Sequence, residues 1–218
     1  LKNVSGVNVQ TGFGVFDYFI IRGYESLTNG LVLTDGAAEP EVTFYNLYNI
    51  ERIEVLKGPG AFLYGGNPLS GTVNLVRKQP IFKNFLHVNG SYGHFKSYRG
   101  TLDLGFANLD SGVAFRVNSL WQDSENYRDN KNNDNFSINP ALTWRLNDKT
   151  SMTFNFEYVK SSYKPDSGLP LFNDAIPDVP RTRSYQSPSD FSDQKILRGR
   201  VDFETRISKT LALRNKIY

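Results

Sequence analysis

The chain has 218 residues, 39% of them hydrophobic, with 25 Lys and Arg against 22 Asp and Glu, two His and no Cys. A net charge of +3 is too small to argue for a nucleic-acid partner, and without Cys there is neither a disulfide framework nor a thiolate-bound metal centre. No apolar run reaches the ~18 residues of a membrane helix, which leaves open a membrane β-barrel, whose strands alternate and keep the mean hydropathy low.

The N-terminal "LKNVSGVNVQ" has no charged segment leading into an apolar core, so no signal peptide is read here. Up to about Pro80 the chain is built of short apolar strands broken by Gly and Asn: Tyr18–Tyr24, Leu31–Gly36, Ile50–Pro59 and Gly71–Lys78. These predict a small mixed domain around a sheet. Between the last two lies "KGPGAFLYGGNPLSG", Lys57–Gly71. A phosphate cradle would need G-x-x-x-x-G-K-[ST] opening a helix. No Lys stands at that spacing, and "TVNLV" after Gly71 reads as a strand. The stretch is therefore read as a compact bend in which Gly permits positive φ and close backbone approach while Pro59 and Pro68 fix φ.

After Pro80 the grammar changes to segments of roughly ten residues that alternate apolar and polar, the length of a tilted membrane strand. In Ser151–Val159, Met152, Phe154, Phe156 and Tyr158 share one face and Thr153, Asn155 and Glu157 the other. Val113, Phe115, Val117 and Trp121 oppose Arg116, Asn118 and Gln122 in the same way. Further on, Leu197, Val201, Phe203 and Ile207 oppose Arg198, Arg200, Asp202, Glu204 and Arg206. Seven strands are expected, near 84–92, 97–107, 113–124, 135–146, 151–162, 195–207 and 211–218. Apart from the first tight "GHFK", short turns alternate with longer connections, the longest being Ser161–Asp193. That asymmetry, with Trp121 and Tyr127 toward one rim and Trp144 toward the other, fits the turns, loops and aromatic girdles of an outer-membrane barrel. A soluble antiparallel sheet with one wetted face would share the alternation but leave the rim features unexplained.

Chemistry of other kinds finds little support. Nothing sets His87 or His94 beside an activated Ser with an acidic third member, and His87 reads as a residue on the polar side of the first barrel strand. "DNKNNDN", Asp129–Asn135, has a superficial likeness to a calcium loop, but Lys131 takes a ligand position in one register and Asn135 replaces the obligatory Gly in the other. It is read as a solvated loop.

"IERIEVLKGPGAFLYGGNPLSGTVNLVRKQP", Ile50–Pro80, resembles the plug signature of TonB-dependent outer-membrane receptors. "IIRGY" (Ile20–Tyr24) and "LVLTDG" match further elements of that plug in the expected order. "VNLVRKQP" and "DSGLP" (Asp166–Pro170) are closer to ferric-siderophore receptors than to cobalamin receptors. The resemblance implies a β-rich fold: a plug domain over residues 1–80, its N-terminal part missing, then the first antiparallel strands of a transmembrane barrel over 81–218. It also implies a TonB box before Leu1 and a barrel of roughly 22 strands, so the chain is expected to be a fragment. The glycine-rich stretch then resembles a bend of a plug inside a barrel.

For function, the resemblance implies an outer-membrane transport protein, not an enzyme, that takes up a ferric siderophore. Its partners would be the siderophore, the TonB complex and membrane lipid, with no nucleic acid and no resident cofactor, the iron arriving within the ligand. The ligand would meet the plug apices Arg22–Asn29, Asp35–Pro40 and Val42–Asn49, with Arg22 as the cation, Asp35 beside it and Tyr24, Tyr45 and Tyr48 as aromatic contacts. Arg52 and Glu54 on the plug, with Arg116 and Glu157 on the wall, are the candidates for locking plug to barrel. Rival readings are another cargo, such as cobalamin, haem or a glycan, and a passive barrel or adhesin, which has no need of residues 18–80.

Overall fold

A computed structural model describes residues 4–12, 16–26, 31–38, 44–57 and 71–218. Most of the glycine-rich bend, 58–70, lies outside these residues, as do 27–29, 39, 40, 42 and 43 of the expected apices. Every regular element among the described residues is a strand. The chain divides into two compact units, Leu1–Lys78 with Pro165–Asp190, and Gln79–Lys164 with Phe191–Tyr218.

In the first unit, β1 (Val7–Gly12), β2 (Phe16–Ile21) and β3 (Tyr24–Glu25) form an antiparallel sheet in that order. A second sheet, ordered β5-β4-β7-β6, contains β4 (Leu31–Thr34), β5 (Ala37–Ala38), β6 (Ile50–Lys57) and β7 (Gly71–Arg77). Only the β4–β7 pair is parallel. β7 is central and buried along almost its whole length, the polar Thr72 and Asn74 as well as the apolar Val73 and Leu75. Val7, Phe19 and Ile21 from one sheet pack with Val32, Val73 and Leu75 from the other. Two hairpins of this unit turn on pairs of residues with positive φ: Arg22 and Gly23 (52° and 87°), and Asp35 and Gly36 (52° and 86°). That pattern is the type I′ turn, whose twist matches the strands it joins. At the described end of the glycine-rich bend, Gly71 has φ 145°, and a Cβ there would stand 2.5 Å from the Leu56 carbonyl oxygen. Only glycine fits that position.

The second unit is one meander of seven antiparallel strands in sequence order: β8 (Phe85–Gly93), β9 (Ser97–Asn108), β10 (Val113–Glu125), β11 (Asn132–Asn147), β12 (Thr150–Tyr163), β13 (Ser192–Arg206) and β14 (Ala212–Ile217). All seven expected strands are present. β11 and β13 begin three residues earlier than the alternation suggests. The backbone ladder runs on through polar residues there, pairing Glu125 with Asn132 and Tyr163 with both Asn133 and Ser192. Connections 94–96, 126–131 and 164–191 fall at one end of the sheet, and 109–112, 148–149 and 207–211 at the other.

Burial in this sheet is inverted relative to a water-soluble protein. Along β12, Asn155 and Glu157 are 3% and 5% exposed while Phe154 and Phe156 are 39% and 45% exposed. Asn118, Ser137, Asn139 and Arg200 are likewise buried, whereas Trp121, Phe136, Trp144 and Leu197 are exposed. A continuous apolar face of this kind is costly in water and favourable in hydrocarbon. β11 also carries Pro140 at an interior position of the sheet, where the ring cannot donate to the ladder. The side-chain amide of Asn139 donates to the Phe156 carbonyl instead, and to Asn155 Oδ1 at 3.0 Å, where the β11–β12 ladder is interrupted at residues 139 and 140.

Candidate functional site

Two groups of side chains bear on function, one on the hairpin turns of the first unit and one on the polar face of the second. At the β2–β3 turn the Arg22 backbone N–H donates to the Gly6 carbonyl at 2.9 Å, while its side chain and that of Tyr24, 51% exposed, reach outward. The hairpin thus carries an accessible guanidinium and an accessible phenol.

The other three expected ligand residues sit differently. Asp35 is 8% exposed. Its carboxylate accepts the Arg77 backbone N–H at 2.9 Å and lies 3.6 Å from Arg77 Nε, so it ties the β4–β5 turn to β7. Tyr45 stacks on Phe19 at 5.4 Å between centroids, and its backbone N–H donates to the Asp17 carboxylate at 3.3 Å. Burial raises the pKa of Asp17 above the usual range, against the opposing pull of hydrogen bonds from Thr11 and Tyr45. Tyr48 is buried, its carbonyl accepting from Lys78 Nζ at 3.1 Å.

Asn74 was not anticipated from the sequence, since it is one polar residue in an apolar run. It links the turn to the edge of the sheet: the Gly36 N–H donates to Asn74 Oδ1 at 3.0 Å, and Asn74 Nδ2 donates to Glu54 Oε2 at 2.9 Å. Arg52 Nε donates to the other oxygen, Glu54 Oε1, at 2.8 Å. The Asn74 hydrogen bond, then that from Arg52, holds the Glu54 carboxyl below its ordinary pKa.

On the polar face of the second unit charges are paired directly across a strand pair, diagonally, or along one strand. Arg116 is clamped by Asp103 through two 2.8 Å hydrogen bonds, donates to the Gln79 carbonyl at 2.9 Å and lies 5.1 Å over the Phe85 ring. The ring has room because residue 105 is glycine: a Cβ there would come within 2.1 Å of it. Glu157 pairs with Arg198 at 3.1 Å, Arg200 with Asp202 at 2.8 Å and Glu204 with Arg214 at 3.2 Å. The pairs on β13 engage four of the five charges on that face, Arg198, Arg200, Asp202 and Glu204. The pairings described for the four locking candidates, Arg52, Glu54, Arg116 and Glu157, each lie within one unit.

Residues 1–72 match the family model described as the TonB-dependent Receptor Plug Domain. The metal-pseudopaline receptor CntO of Pseudomonas aeruginosa is 34% identical over 142 residues, 65% of this chain and 20% of that protein. The catecholate siderophore receptor Fiu of Escherichia coli K12 is 25% identical over 239 residues, 99% of this chain and 30% of that protein. Its open-form crystal structure superposes with a TM-score of 0.87, covering 34% of that chain. The siderophore receptor PiuA of Acinetobacter baumannii, 24% identical, shares the fold with a TM-score of 0.88 over 99% of this chain and 32% of that one. The chain thus spans between a fifth and a third of the length of these relatives. Plug signature, shared fold and an apolar face turned outward agree, and the chain belongs to the TonB-dependent receptors of the bacterial outer membrane, a family of receptors and not of enzymes.

Proposed function

We propose that this chain is the plug and first wall strands of a receptor that captures an anionic ferric siderophore outside the cell and imports it with energy delivered through TonB. The observation that carries the reading is the β2–β3 hairpin, where Arg22 and Tyr24, two positions apart in the chain, are both exposed on a plug-type domain. A guanidinium gives charge-assisted hydrogen bonds to a chelate's oxygens, each worth ~1.5–3 kcal/mol, and a phenol ring covers an apolar rim while its hydroxyl donates. Tyr45, Tyr48 and Asp35 then serve the site by holding the neighbouring turns in place. Relatives of this chain are named as receptors for a catecholate siderophore and for metal-pseudopaline, which supports a metal chelate over cobalamin, haem or a glycan. Iron belongs to the cargo and not to the protein. Locking of the plug by Arg52 and Glu54 against wall charges such as Arg116 and Glu157 is part of the same proposal, released when TonB acts.

The test is titration of the full-length receptor with a catecholate siderophore, with and without iron, comparing wild type with Arg22→Ala and Arg22→Asn. Asn tolerates the left-handed turn, so it removes the charge with little cost to the backbone. Both variants should bind the ferric form at least tenfold more weakly, since ~1.4 kcal/mol suffices for that factor, with thermal stability unchanged. Unchanged binding together with a protease-sensitive plug would make Arg22 a structural residue and overturn the assignment.

A further inference from the structure

Residues 78–84 run from β7 to β8 without regular structure, yet three consecutive strands of the second unit hold them near its short-turn end. Asn84 Oδ1 accepts the Ala107 backbone N–H of β9 at 2.7 Å, just past Phe85 and Gly105, where the β8–β9 ladder stops. Arg116 of β10 donates to the Gln79 carbonyl at 2.9 Å. Arg145 of β11 lies 4.1 Å over the half-buried ring of Phe82.

The backbone is shaped around the last of these contacts. β11 bulges between Arg145 and Asn147, and a bulge re-aims the side chain beside it. The neighbouring turn closes on the same residue: the Arg145 N–H donates to the Gly112 carbonyl at 2.7 Å. A Cβ on Gly112, whose φ is 65°, would stand 2.5 Å from the Arg145 carbonyl oxygen, so only glycine lets the turn come this near. The guanidinium is exposed, but it starts from a fixed point.

The segment is also stiff. Pro80, which is buried, fixes its own φ and holds Gln79 extended. Before it, the first unit has a hold of its own: the Lys78 N–H donates to the Asn49 carbonyl at 2.8 Å, and its ammonium to the Tyr48 carbonyl at 3.1 Å. The change from one set of anchors to the other therefore falls at a single peptide bond, Lys78–Gln79.

We propose that residues 79–84 are a strap belonging to the wall, with Arg116 and Arg145 as its positioning residues, and that the moving part of the receptor ends at Lys78. Arg116 then restrains the plug through the main chain of the linker, whatever charge it meets on the plug itself. Displacement during import has to be absorbed within the first unit, because the strap supplies no free length. The strap stands on contacts inside the second unit, and its bearing on import rests on the function proposed above.

Hydrogen exchange by mass spectrometry, on the full-length receptor in lipid vesicles at graded urea, reads the boundary. The Ala107 amide, bonded to Asn84, is released when the strap lifts. It should stay protected while the amides of β4 and β7 open, and open only with β9 and β10. Opening together with β7 would assign the strap to the plug and overturn the proposal. Arg145→Gln should speed exchange at Ala107 by about two- to fivefold, the factor for a cation–π contact at an exposed site, and Arg145→Lys should restore part of it. Equal exchange in wild type and Arg145→Gln would strike Arg145 from the positioning residues. For import, Phe82→Cys and Arg145→Cys are joined by a short cleavable bismaleimide, and cellular uptake of a ferric catecholate siderophore is compared before and after cleavage. Uptake in the two states should agree within about twofold, whereas a loss of about tenfold that cleavage restores would show that the strap must move. If wild type takes up no ferric siderophore, the function proposed above fails, and exchange at Ala107 still decides the strap.

Discussion

At the scale of single residues, a side-chain donor stands in the sheet where a backbone donor is missing. Pro140 removes a ladder donor, and Asn139, fully buried, supplies a side-chain amide to the Phe156 carbonyl. Asn139→Ala in the full-length receptor should therefore destabilise it by about 1–3 kcal/mol, the cost of leaving a buried acceptor unsatisfied. Asn139→Ala combined with Pro140→Val should recover part of the loss, because valine restores the backbone N–H. Denaturant unfolding in lipid vesicles measures both, and a double variant no more stable than the single one would show that the amide has another task. Arg116 illustrates the same economy. Its guanidinium is shared among Asp103, Gln79 and the Phe85 face, and Gly105 is small so that the ring can lie there.

At the scale of elements, the period-two alternation of β8–β14 identifies both the strands and their faces. Phe154 faces away from Asn155 and Glu157 and stands between the half-buried Leu142 and Val201. Phe154→Arg should cost ~2–4 kcal/mol near the bilayer midplane, whereas no measurable loss in a bilayer refolding assay would reverse the assigned face. The strands were legible in the sequence because each carries its own periodic signal. The ion pairs between strands were not, because they depend on register: Asp103 meets Arg116 across β9 and β10, and Asp35 meets Arg77 across the parallel β4–β7 pair. The orientation of Tyr45 and Tyr48 escaped for a different reason. Residues 44–47 have no regular structure, so no period says which side chains turn inward, and only packing on Phe19 and the anchor at Asp17 decide it. Arg22 is exposed in the two-residue type I′ turn and Tyr24 at the start of the short strand that follows it.

At the scale of the whole molecule, the sheet has a long-loop end and a short-turn end, and the difference sets its orientation in the membrane. Residues 164–191 contain a single bridge, Phe172 to Ala175, around Asn173 and Asp174, both with positive φ. Arg181 and Arg183 in this segment are exposed. Trypsin added to intact cells should cut after one of these arginines before any site within β8–β12. Cleavage there only after the membrane is permeabilised would place the long connections on the periplasmic side and invert the orientation.

The inverted burial of the sheet also bears on how such a chain is made. A protein destined for the outer membrane must first cross the inner one and an aqueous compartment, and a segment greasy enough to stop in the inner bilayer would never arrive. Because outward-facing apolar residues mostly alternate with polar ones, the apolar face exists only once the strands are paired. Before that, the chain has a mean hydropathy of −0.43, and no described helix is long and apolar enough to cross a membrane. Its affinity for lipid is thus latent in the pleat and is released by folding, so a chain that travels unpaired through water becomes a membrane protein at the moment of strand pairing.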